Sequence, residues 1–377
     1  MLSIITSFRI CAAGALTALV GAGAHPAVGH ITSGGSMHVP RASHSSTLLP
    51  NGTVLIAGGF GGSGTESHPY TSSELFDPRD GSFIVGPSMR VGRSGHTATL
   101  LGNGTVLMAG GWTGTEDARA TAEIYDPSTN RFTATGSMVV GRGGQTATLL
   151  PDGRVLIAGG ADRNDDGLAS AELYDPASGR FTPTGKMTIA RDGPTATLLR
   201  DGRVLIAGGS SASRRGKTVY RSAELFDPAT AKFTATGEMA VPRHKHAAAL
   251  LPTGMVLVVG GSDDRDWHGE YATAELYDPA RGTFSSAGAM SLERFKLGSA
   301  VVLVDNGNLL VAGGAARAEL YDPGARNFRL VDGTLGAARY YASAIALRDG
   351  RALITGGYAD EPGRGLPSTA QAFLYTK

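Results

Sequence analysis

Seven copies of a Gly-Gly doublet, each at the end of a short apolar stretch, divide this sequence into repeats. The first glycines of successive doublets are 52, 49, 49, 52, 53 and 43 residues apart. A period of about 50 residues is typical of propeller blades and exceeds that of shorter solenoid repeats. The repeats run through nearly all of the 377 residues, so we expect one large domain. The doublets are Gly58-Gly59, Gly110-Gly111, Gly159-Gly160, Gly208-Gly209, Gly260-Gly261, Gly313-Gly314 and Gly356-Gly357.

Each repeat begins with a predicted hairpin, as the segment 141–160 (GRGGQTATLLPDGRVLIAGG) illustrates. Its Thr-Ala-Thr stretch is joined to an apolar stretch by Asp152-Gly153, a dipeptide that suits the positive φ angles of a two-residue turn. The apolar stretch, 155–158, is hydrophobic at every position, as expected for a strand covered on both faces. The small residues of the first strand predict that it lies innermost, where blades converge and space is least.

A third and a fourth strand complete the repeat. The third ends in an Asp-Pro turn such as Asp175-Pro176, in which proline fixes φ and the aspartate can accept hydrogen bonds from amides ahead of it. The fourth carries an aromatic residue, such as Phe181, and leads to a Gly-x-Met sequence that we expect to pack between blades. The sequence therefore predicts an all-β fold, a seven-bladed β-propeller of four-stranded antiparallel blades.

The last blade needs a strand from the other end of the chain. The seventh repeat shows only three strands before Lys377, whereas residues 31–37 (ITSGGSM) match residues 132–138 (FTATGSM) position for position. We therefore expect residues 30–37 to supply the outer strand of the last blade and to close the ring. Closure removes the open ends of a repeat array, which otherwise need capping.

An apolar strand that ends in Gly-Gly and is followed by a Tyr and then an aromatic residue resembles the kelch repeat, over nearly all of residues 25–377. The resemblance implies a propeller of four-stranded blades and a secreted, bacterial-type kelch protein. Kelch proteins include two enzyme classes that the resemblance brings into consideration. Galactose oxidase uses copper and a tyrosine cross-linked to cysteine, and sialic acid epimerase transfers protons. The copper site is not expected here, because the single cysteine is Cys11, so we expect no cofactor and no metal.

The amino terminus indicates export. Residues 1–24 contain Arg9, an apolar run too short for a membrane span, and the small-residue sequence Ala22-Gly23-Ala24, which together are typical of a cleaved signal peptide. We expect a secreted or periplasmic protein, with an uncleaved anchor as the alternative, and a single domain over residues 25–377. The 34 basic and 33 acidic residues give a net charge of +1 without long runs of one sign, so nucleic acid is not an expected partner.

An arginine recurs in the loop that leads into each innermost strand, and two interpretations are open. The first is a ring of cations that binds carboxylates or phosphates through forked hydrogen bonds; in some kelch domains an arginine at this loop position touches an acidic peptide. The second is internal pairing with a glutamate that recurs in six repeats, the seventh having Gln371. The ligand candidates are Arg93, Arg142, Arg191, Arg243, Arg294 and Arg339, with Arg41 as the seventh member, and the glutamates are Glu74, Glu123, Glu172, Glu224, Glu275 and Glu319.

The loops after the Gly-Gly doublets share a face with the arginine loops and vary most, and such loops on a rigid scaffold usually carry recognition. The loop 262–271 (SDDRDWHGEY) combines aromatic, acidic and basic groups, as carbohydrate sites often do, because sugar rings have apolar faces and hydroxyl edges. The alternative is a solvated loop whose tryptophan packs on a neighbour. The binding candidates are Trp112, Trp267, His268 and Tyr271, with Tyr358 as a companion.

Two functions remain open. The first is a noncatalytic binding or scaffolding propeller, expected as a monomer, that recognises a protein or glycan through its loop face. The second is a carbohydrate- or small-molecule-active enzyme of the isomerase or epimerase type, with its site at the channel mouth. No catalytic residue is identified, and His44, His96 and His246 could share a metal only across the channel. A mouth that holds an acid or base of perturbed pKa favours the enzyme, and one lined only by paired Arg and Glu excludes it.

Overall fold

The computed structural model describes residues 29–61, 68–114, 117–213, 216–304, 307–359 and 367–377. The predicted signal segment, 1–24, lies outside these ranges. The described chain forms seven antiparallel sheets of four strands, each numbered here as a blade in chain order and each running from the central channel to the rim. The predicted seven-bladed β-propeller is confirmed.

The strands occupy four concentric positions in blades 1 to 7. The innermost strands are β2 (Ser45–Leu48), β6 (Thr97–Leu100), β10 (Thr146–Leu149), β14 (Thr195–Leu198), β20 (Ala247–Leu250), β24 (Val301–Leu303) and β28 (Ser343–Ala346). The second strands are β3 (Val54–Ala57), β7 (Val106–Ala109), β11 (Val155–Ala158), β15 (Val204–Ala207), β21 (Val256–Val259), β25 (Leu309–Val311) and β29 (Ala352–Thr355). The third strands are β4 (Ser73–Asp77), β8 (Ala122–Asp126), β12 (Ala171–Asp175), β18 (Ala223–Asp227), β22 (Tyr271–Asp278), β26 (Glu319–Asp322) and β30 (Gln371–Thr376). The outer strands are β5 (Ser82–Val85), β9 (Arg131–Ala134), β13 (Arg180–Pro183), β19 (Lys232–Ala235), β23 (Thr283–Arg294), β27 (Asn327–Leu330) and β1 (His30–Ser36).

Hydrophobic burial is greatest in the second strands and continues between blades. The four residues of β11 are each at most 1% exposed, because neighbouring sheets cover both faces. Met138, which follows β9 of blade 2, packs in one cluster with Val155 and Ile157 of blade 3. The rings of Tyr174 and Phe181 lie 4.7 Å apart between their centroids, a favourable aromatic contact. The predicted packing of the repeated methionines and aromatic residues between blades is confirmed at the interface of blades 2 and 3.

The ring closes through the amino-terminal strand, as predicted. β1 pairs antiparallel with β30, with Ile31 opposite Tyr375 and Ser33 opposite Phe373. The Ile31 side chain is 7% exposed and joins the core between blades 6 and 7. The last blade is therefore assembled from both ends of the described chain.

The loops after the Gly-Gly doublets carry the remaining elements. They include two short 3-10 helices, Asp117–Ala120 and Asp266–His268, and a hairpin made of β16 (Ser210–Ser213) and β17 (Gly216–Val219). Within the described ranges, no helix has the length and apolar character needed to span a bilayer.

Candidate active site at the channel mouth

The repeated arginine is buried inside its own blade. In blade 3, Arg142 has no exposed surface, and its guanidinium donates to the carbonyl oxygens of Gly159 (2.8 Å) and Ser170 (3.0 Å). It also forms an ion pair of 2.9 Å with Glu172, which is 2% exposed and accepts hydrogen bonds from two amides of the loop that leads in from blade 2. The pair therefore ties that incoming loop to the third strand of the blade.

The same pairing occurs in six blades. The arginine nitrogen lies 2.9 to 3.4 Å from the glutamate oxygen in Arg41–Glu74, Arg93–Glu123, Arg142–Glu172, Arg191–Glu224, Arg243–Glu275 and Arg294–Glu319. In blade 7, Arg339 donates to the side-chain oxygen of Gln371 at 2.5 Å and to the carbonyl of Leu335. The ring of anion-binding arginines is corrected accordingly: six of these side chains have no exposed surface and the seventh is 5% exposed, so their donors serve the blade rather than a ligand.

The Gly-Gly doublets are explained by close approach of neighbouring blades. The amide of Gly160 donates to the carbonyl oxygen of Arg191, in the next blade, at 2.8 Å. A Cβ on Gly159 would lie 2.7 Å from that same oxygen, and both glycines have positive φ angles. Only glycine meets both requirements without strain.

A cavity of about 480 Å³ opens at the channel mouth, on the face that carries the variable loops. Its lining includes the rings of Phe60, Trp112 and Tyr341 and the charged groups of Asp192 and Lys245. A volume of this size suits a small molecule, and a few polar groups among apolar walls are typical of ligand sites. The mouth is therefore not lined by arginine–glutamate pairs.

Asp192 is the acid of the cavity. Burial raises the pKa of its carboxyl to about 6, with a further contribution from Asp165, while Lys245 acts in the opposite direction. The carboxyl packs directly against Gly144, which has no side chain. A Cβ at that position would lie 2.6 Å from Oδ1 of Asp192. The backbone of Asp192 is held by two hydrogen bonds with Ser210, of 2.6 and 2.9 Å. A carboxyl in this state exchanges protons near neutral pH.

A lysine–aspartate network forms the wall beside Asp192. Nζ of Lys245 lies 2.6 Å from Oδ1 of Asp266, and Nζ of Lys217, on the β16–β17 hairpin, lies 3.1 Å from Oδ2. His244 contacts the same carboxylate at 3.1 Å, and burial lowers its pKa to about 4, so the imidazole is neutral. Both ammonium groups keep about a quarter of their side chains exposed.

The residue two positions after each repeated arginine has a left-handed backbone, which gives seven such residues, one at the start of each blade. Their φ angles lie between +51° and +65°. Three are glycines, and the others carry side chains in a conformation that costs such residues free energy and is often found at functional sites. We call this set the mouth belt: Ser43, Gly95, Gly144, Gly193, Lys245, Lys296 and Tyr341.

Tyr341 is the aromatic member of the mouth belt. Burial raises the pKa of its phenol above the ordinary value, and the charges of Asp192 and Asp266 act in the same direction. The phenol therefore stays protonated and available as a hydrogen-bond donor.

The channel histidines link neighbouring blades. Nε2 of His96 lies 2.9 Å from the hydroxyl of Ser45, and Nε2 of His246 lies 3.0 Å from the hydroxyl of Thr195. His44 makes the equivalent contact with Thr355 at 2.9 Å. Burial lowers the pKa of each of the three to about 3, so all are neutral.

Of the four other predicted ligand residues, Trp112 is the one that lines the cavity. Trp267 is 37% exposed and packs edge-on against Phe295 and Tyr340, with centroid distances of 4.7 and 4.9 Å. His268 is exposed on the loop surface, and Tyr271 lies under the guanidinium of Arg243 at 5.3 Å. The structure therefore brings one of the four to the mouth.

Sequence reasoning missed the central residues of the cavity, Asp192 and Lys245. They follow the repeated arginine by one and by two positions. In blades 2 and 3 the residue at the position of Asp192 is Ser94 or Gly143. The residue at the position of Lys245 is Gly95 or Gly144. Aligning the repeats on the arginine exposes this departure, which is the signal that could have found them.

Neither a protein-family model nor a curated protein matches the chain. Solved structures that share its fold include two of low sequence identity. A novel fungal alcohol oxidase of the AA5 family, in complex with copper, is 16% identical, with a TM-score of 0.70 over 92% of this chain and 76% of the oxidase. YjhT is 15% identical, with a TM-score of 0.55 over 66% of this chain and 84% of YjhT. At such identities the likeness shows the fold alone, which is the propeller expected from the kelch resemblance.

The copper of the alcohol oxidase has no evident counterpart here. Across the described ranges, no three His, Cys, Asp or Glu side chains converge in a way that would hold a metal ion. The channel histidines direct Nε2 to hydroxyl groups of neighbouring blades, as described above, and Cys11 lies outside the described residues. The donor set of the mouth therefore does not fit a copper centre, and no step is assigned to one.

Proposed function

We propose that this protein is a carbohydrate- or small-molecule-active enzyme of the isomerase or epimerase type, which moves a proton at the channel mouth. The observation that carries the proposal is the Asp192 carboxyl, held in the cavity with a pKa near 6. General acid–base catalysis is most efficient when the pKa of the group lies near the working pH. The enzyme is favoured over a noncatalytic binding propeller because the mouth holds an acid of perturbed pKa, while the arginine–glutamate pairs that would exclude an enzyme do not line it.

In this proposal each polar or aromatic group of the cavity has a distinct role. Asp192 accepts a proton from a C–H or O–H group of the substrate and returns it. The ammonium of Lys245 and the phenol of Tyr341 stabilise negative charge that develops on a substrate oxygen. The ring of Trp112 supplies an apolar part of the wall for a sugar ring. Its position is fixed by the Arg119 guanidinium, 4.6 Å from the ring centroid.

The experiment is solvent exchange. The protein is incubated in D₂O with a panel of hexoses, N-acetylhexosamines and sugar acids, and deuterium incorporation is followed by NMR. We expect exchange at one carbon or anomeric position of at least one compound, and a loss of at least about 100-fold in Asp192→Asn, which is the usual contribution of a general base.

Asp152→Asn is the matched control. Asp152 lies in the Asp-Gly turn between β10 and β11, away from the cavity, and its side chain is 44% exposed. Blade 2 has asparagine, Asn103, at the equivalent turn position, so the variant should fold and exchange normally. Equal exchange by the wild type and Asp192→Asn, or no exchange with any compound of the panel, contradicts the proposal.

A further inference from the structure

The mouth belt is also a belt of backbone hydrogen bonds. The amide of each member donates to the carbonyl oxygen of the preceding member at four successive junctions, from Tyr341 through Ser43 to Gly193, with N···O distances of 2.9 to 3.2 Å. The amide of Tyr341 likewise donates to Lys296, at 2.8 Å. Lys245 is joined to the following blade through the amide of Leu297 (3.2 Å).

The belt is interrupted between blades 4 and 5. Among the described residues, no backbone hydrogen bond joins the amide of Lys245 to the carbonyl oxygen of Gly193. Both residues line the cavity. The amide of Lys245 and the carbonyl oxygen of Gly193 therefore lack this bond at the cavity wall, which Asp192 also lines, and unmade backbone bonds at a wall need another partner.

Lys245 occupies this seam although glycine would suit its backbone. Its φ is +53°, and the equivalent members of blades 2, 3 and 4 are all glycine. A lysine kept in such a conformation suggests that its side chain serves a purpose other than stability. Its ammonium is oriented by Asp266, with the ammonium of Lys217 on the other oxygen of the same carboxylate.

The seam therefore presents two kinds of group. The amide and ammonium of Lys245, with Lys217 nearby, are donors suited to an anionic oxygen. The carbonyl oxygen of Gly193 is an acceptor suited to a hydroxyl group. A carboxylate with a hydroxyl on the neighbouring carbon satisfies both, because its oxygens accept from Lys245 while its hydroxyl donates to Gly193.

We propose that the seam between blades 4 and 5 binds small hydroxycarboxylic acids, with the carboxylate on Lys245 and the adjacent hydroxyl on Gly193. This inference rests on the proposed function, for which it names the substrate class. It makes Lys245 a specificity-determining residue, and bound ligand completes the mouth belt.

The test compares gluconate with glucitol, which has the same hydroxylated chain without the carboxylate, by titration calorimetry on the full chain. We expect gluconate to bind the wild type and glucitol to bind at least tenfold more weakly. In Lys245→Gly, gluconate affinity should fall at least tenfold, in line with the loss of a charged hydrogen bond. The melting temperature should be kept, because glycine suits the backbone. Lys245→Arg should restore part of the affinity.

Lys296→Gly is the matched control at the next belt position. The Lys296 ammonium lies 2.6 Å from the Tyr358 hydroxyl and 3.7 Å from the Trp267 ring centroid, so these two aromatic side chains engage it. We expect gluconate affinity to stay within about twofold in this variant. Failure of gluconate to bind the wild type, equal binding of glucitol, or equal affinity in Lys245→Gly would overturn the inference.

The two proposals fail separately. Exchange on a neutral sugar that depends on Asp192, without gluconate binding, removes the hydroxycarboxylate inference and leaves the proton-transfer function. Gluconate binding that depends on Lys245, without exchange on any compound, removes the proton-transfer function and leaves the hydroxycarboxylate site.

Discussion

Replacing Arg142 by alanine tests the assignment of the repeated arginines to structure. The change leaves the Glu172 carboxylate, 2% exposed, without its ion-pair partner, and it removes the donors to Gly159 and Ser170. Breaking one side of a buried pair costs about 3 to 5 kcal/mol. The specific unfolding entropy of globular proteins, summed over roughly 350 residues, is about 0.7 kcal/mol/K, so the melting temperature should fall by about 4 to 7 °C.

Scanning calorimetry and denaturant unfolding measure this loss, and Arg154→Ala is the matched control. Arg154 is also an arginine in blade 3 with a carboxylate partner, Asp152 at 2.6 Å, but both side chains are about 40% exposed. Exposed pairs contribute about 0 to 1 kcal/mol, so the control should melt within about 1 °C of the wild type. Equal losses in the two variants, or an unchanged Arg142→Ala protein, would refute the structural role of the arginines.

Three further predictions concern stability. The Asp192 pKa is raised from 3.8 to about 6, so the folded state holds the extra proton, and stability should fall by about 3 kcal/mol in total as pH rises from well below 4 to well above 6. Calorimetry should show this slope vanish in Asp192→Asn, and a slope that persists in the variant counts against the assignment. His96 is neutral with a pKa lowered from 6.5 to about 3, so stability is lost as pH falls from 6.5 towards 3. His96→Gln introduces the residue that blade 3 has at this position, Gln145, so at pH 4 the variant should have lost about 3 kcal/mol less folding stability than the wild type. An acid-unfolding midpoint equal to that of the wild type would contradict this prediction. Deleting residues 25–37 removes β1 and the buried Ile31, so the melting temperature should drop sharply; a truncated protein that melts like the full chain rules out closure by this strand.

The fold was predictable because the repeat determines it locally. A Gly-Gly doublet, an Asp-Gly turn and an Asp-Pro turn each impose a backbone geometry that does not depend on distant contacts. Ring closure was predictable for a related reason, since residues 31–37 copy the outer-strand sequence of other blades. Its outcome, β1 paired with β30, follows from the requirement that the seventh sheet be completed.

The direction of the arginine side chains was not predictable from spacing. Spacing places Arg142 near the mouth, and both ligand binding and pairing with Glu172 were compatible with that position. Internal pairing is favoured by the carbonyl oxygens of Gly159 and Ser170, which converge on the guanidinium only in the folded blade.

The candidate site was missed because it consists of departures from the repeat rather than of the repeat itself. Asp192 and Lys245 carry no motif, and their chemistry arises from burial and from the space beside Gly144. The aromatic loop 262–271 attracted attention by composition. In the structure it contributes mainly Asp266, which orients Lys245.

The central claim is that the channel mouth holds an Asp192 carboxyl that exchanges its proton near neutral pH. A ¹³C NMR titration of the aspartate carboxyl signals, with Asp192→Asn used to assign the resonance, measures this directly. The account predicts a titration midpoint near 6. A midpoint at or below about 4, the ordinary value of an exposed aspartate, would contradict it.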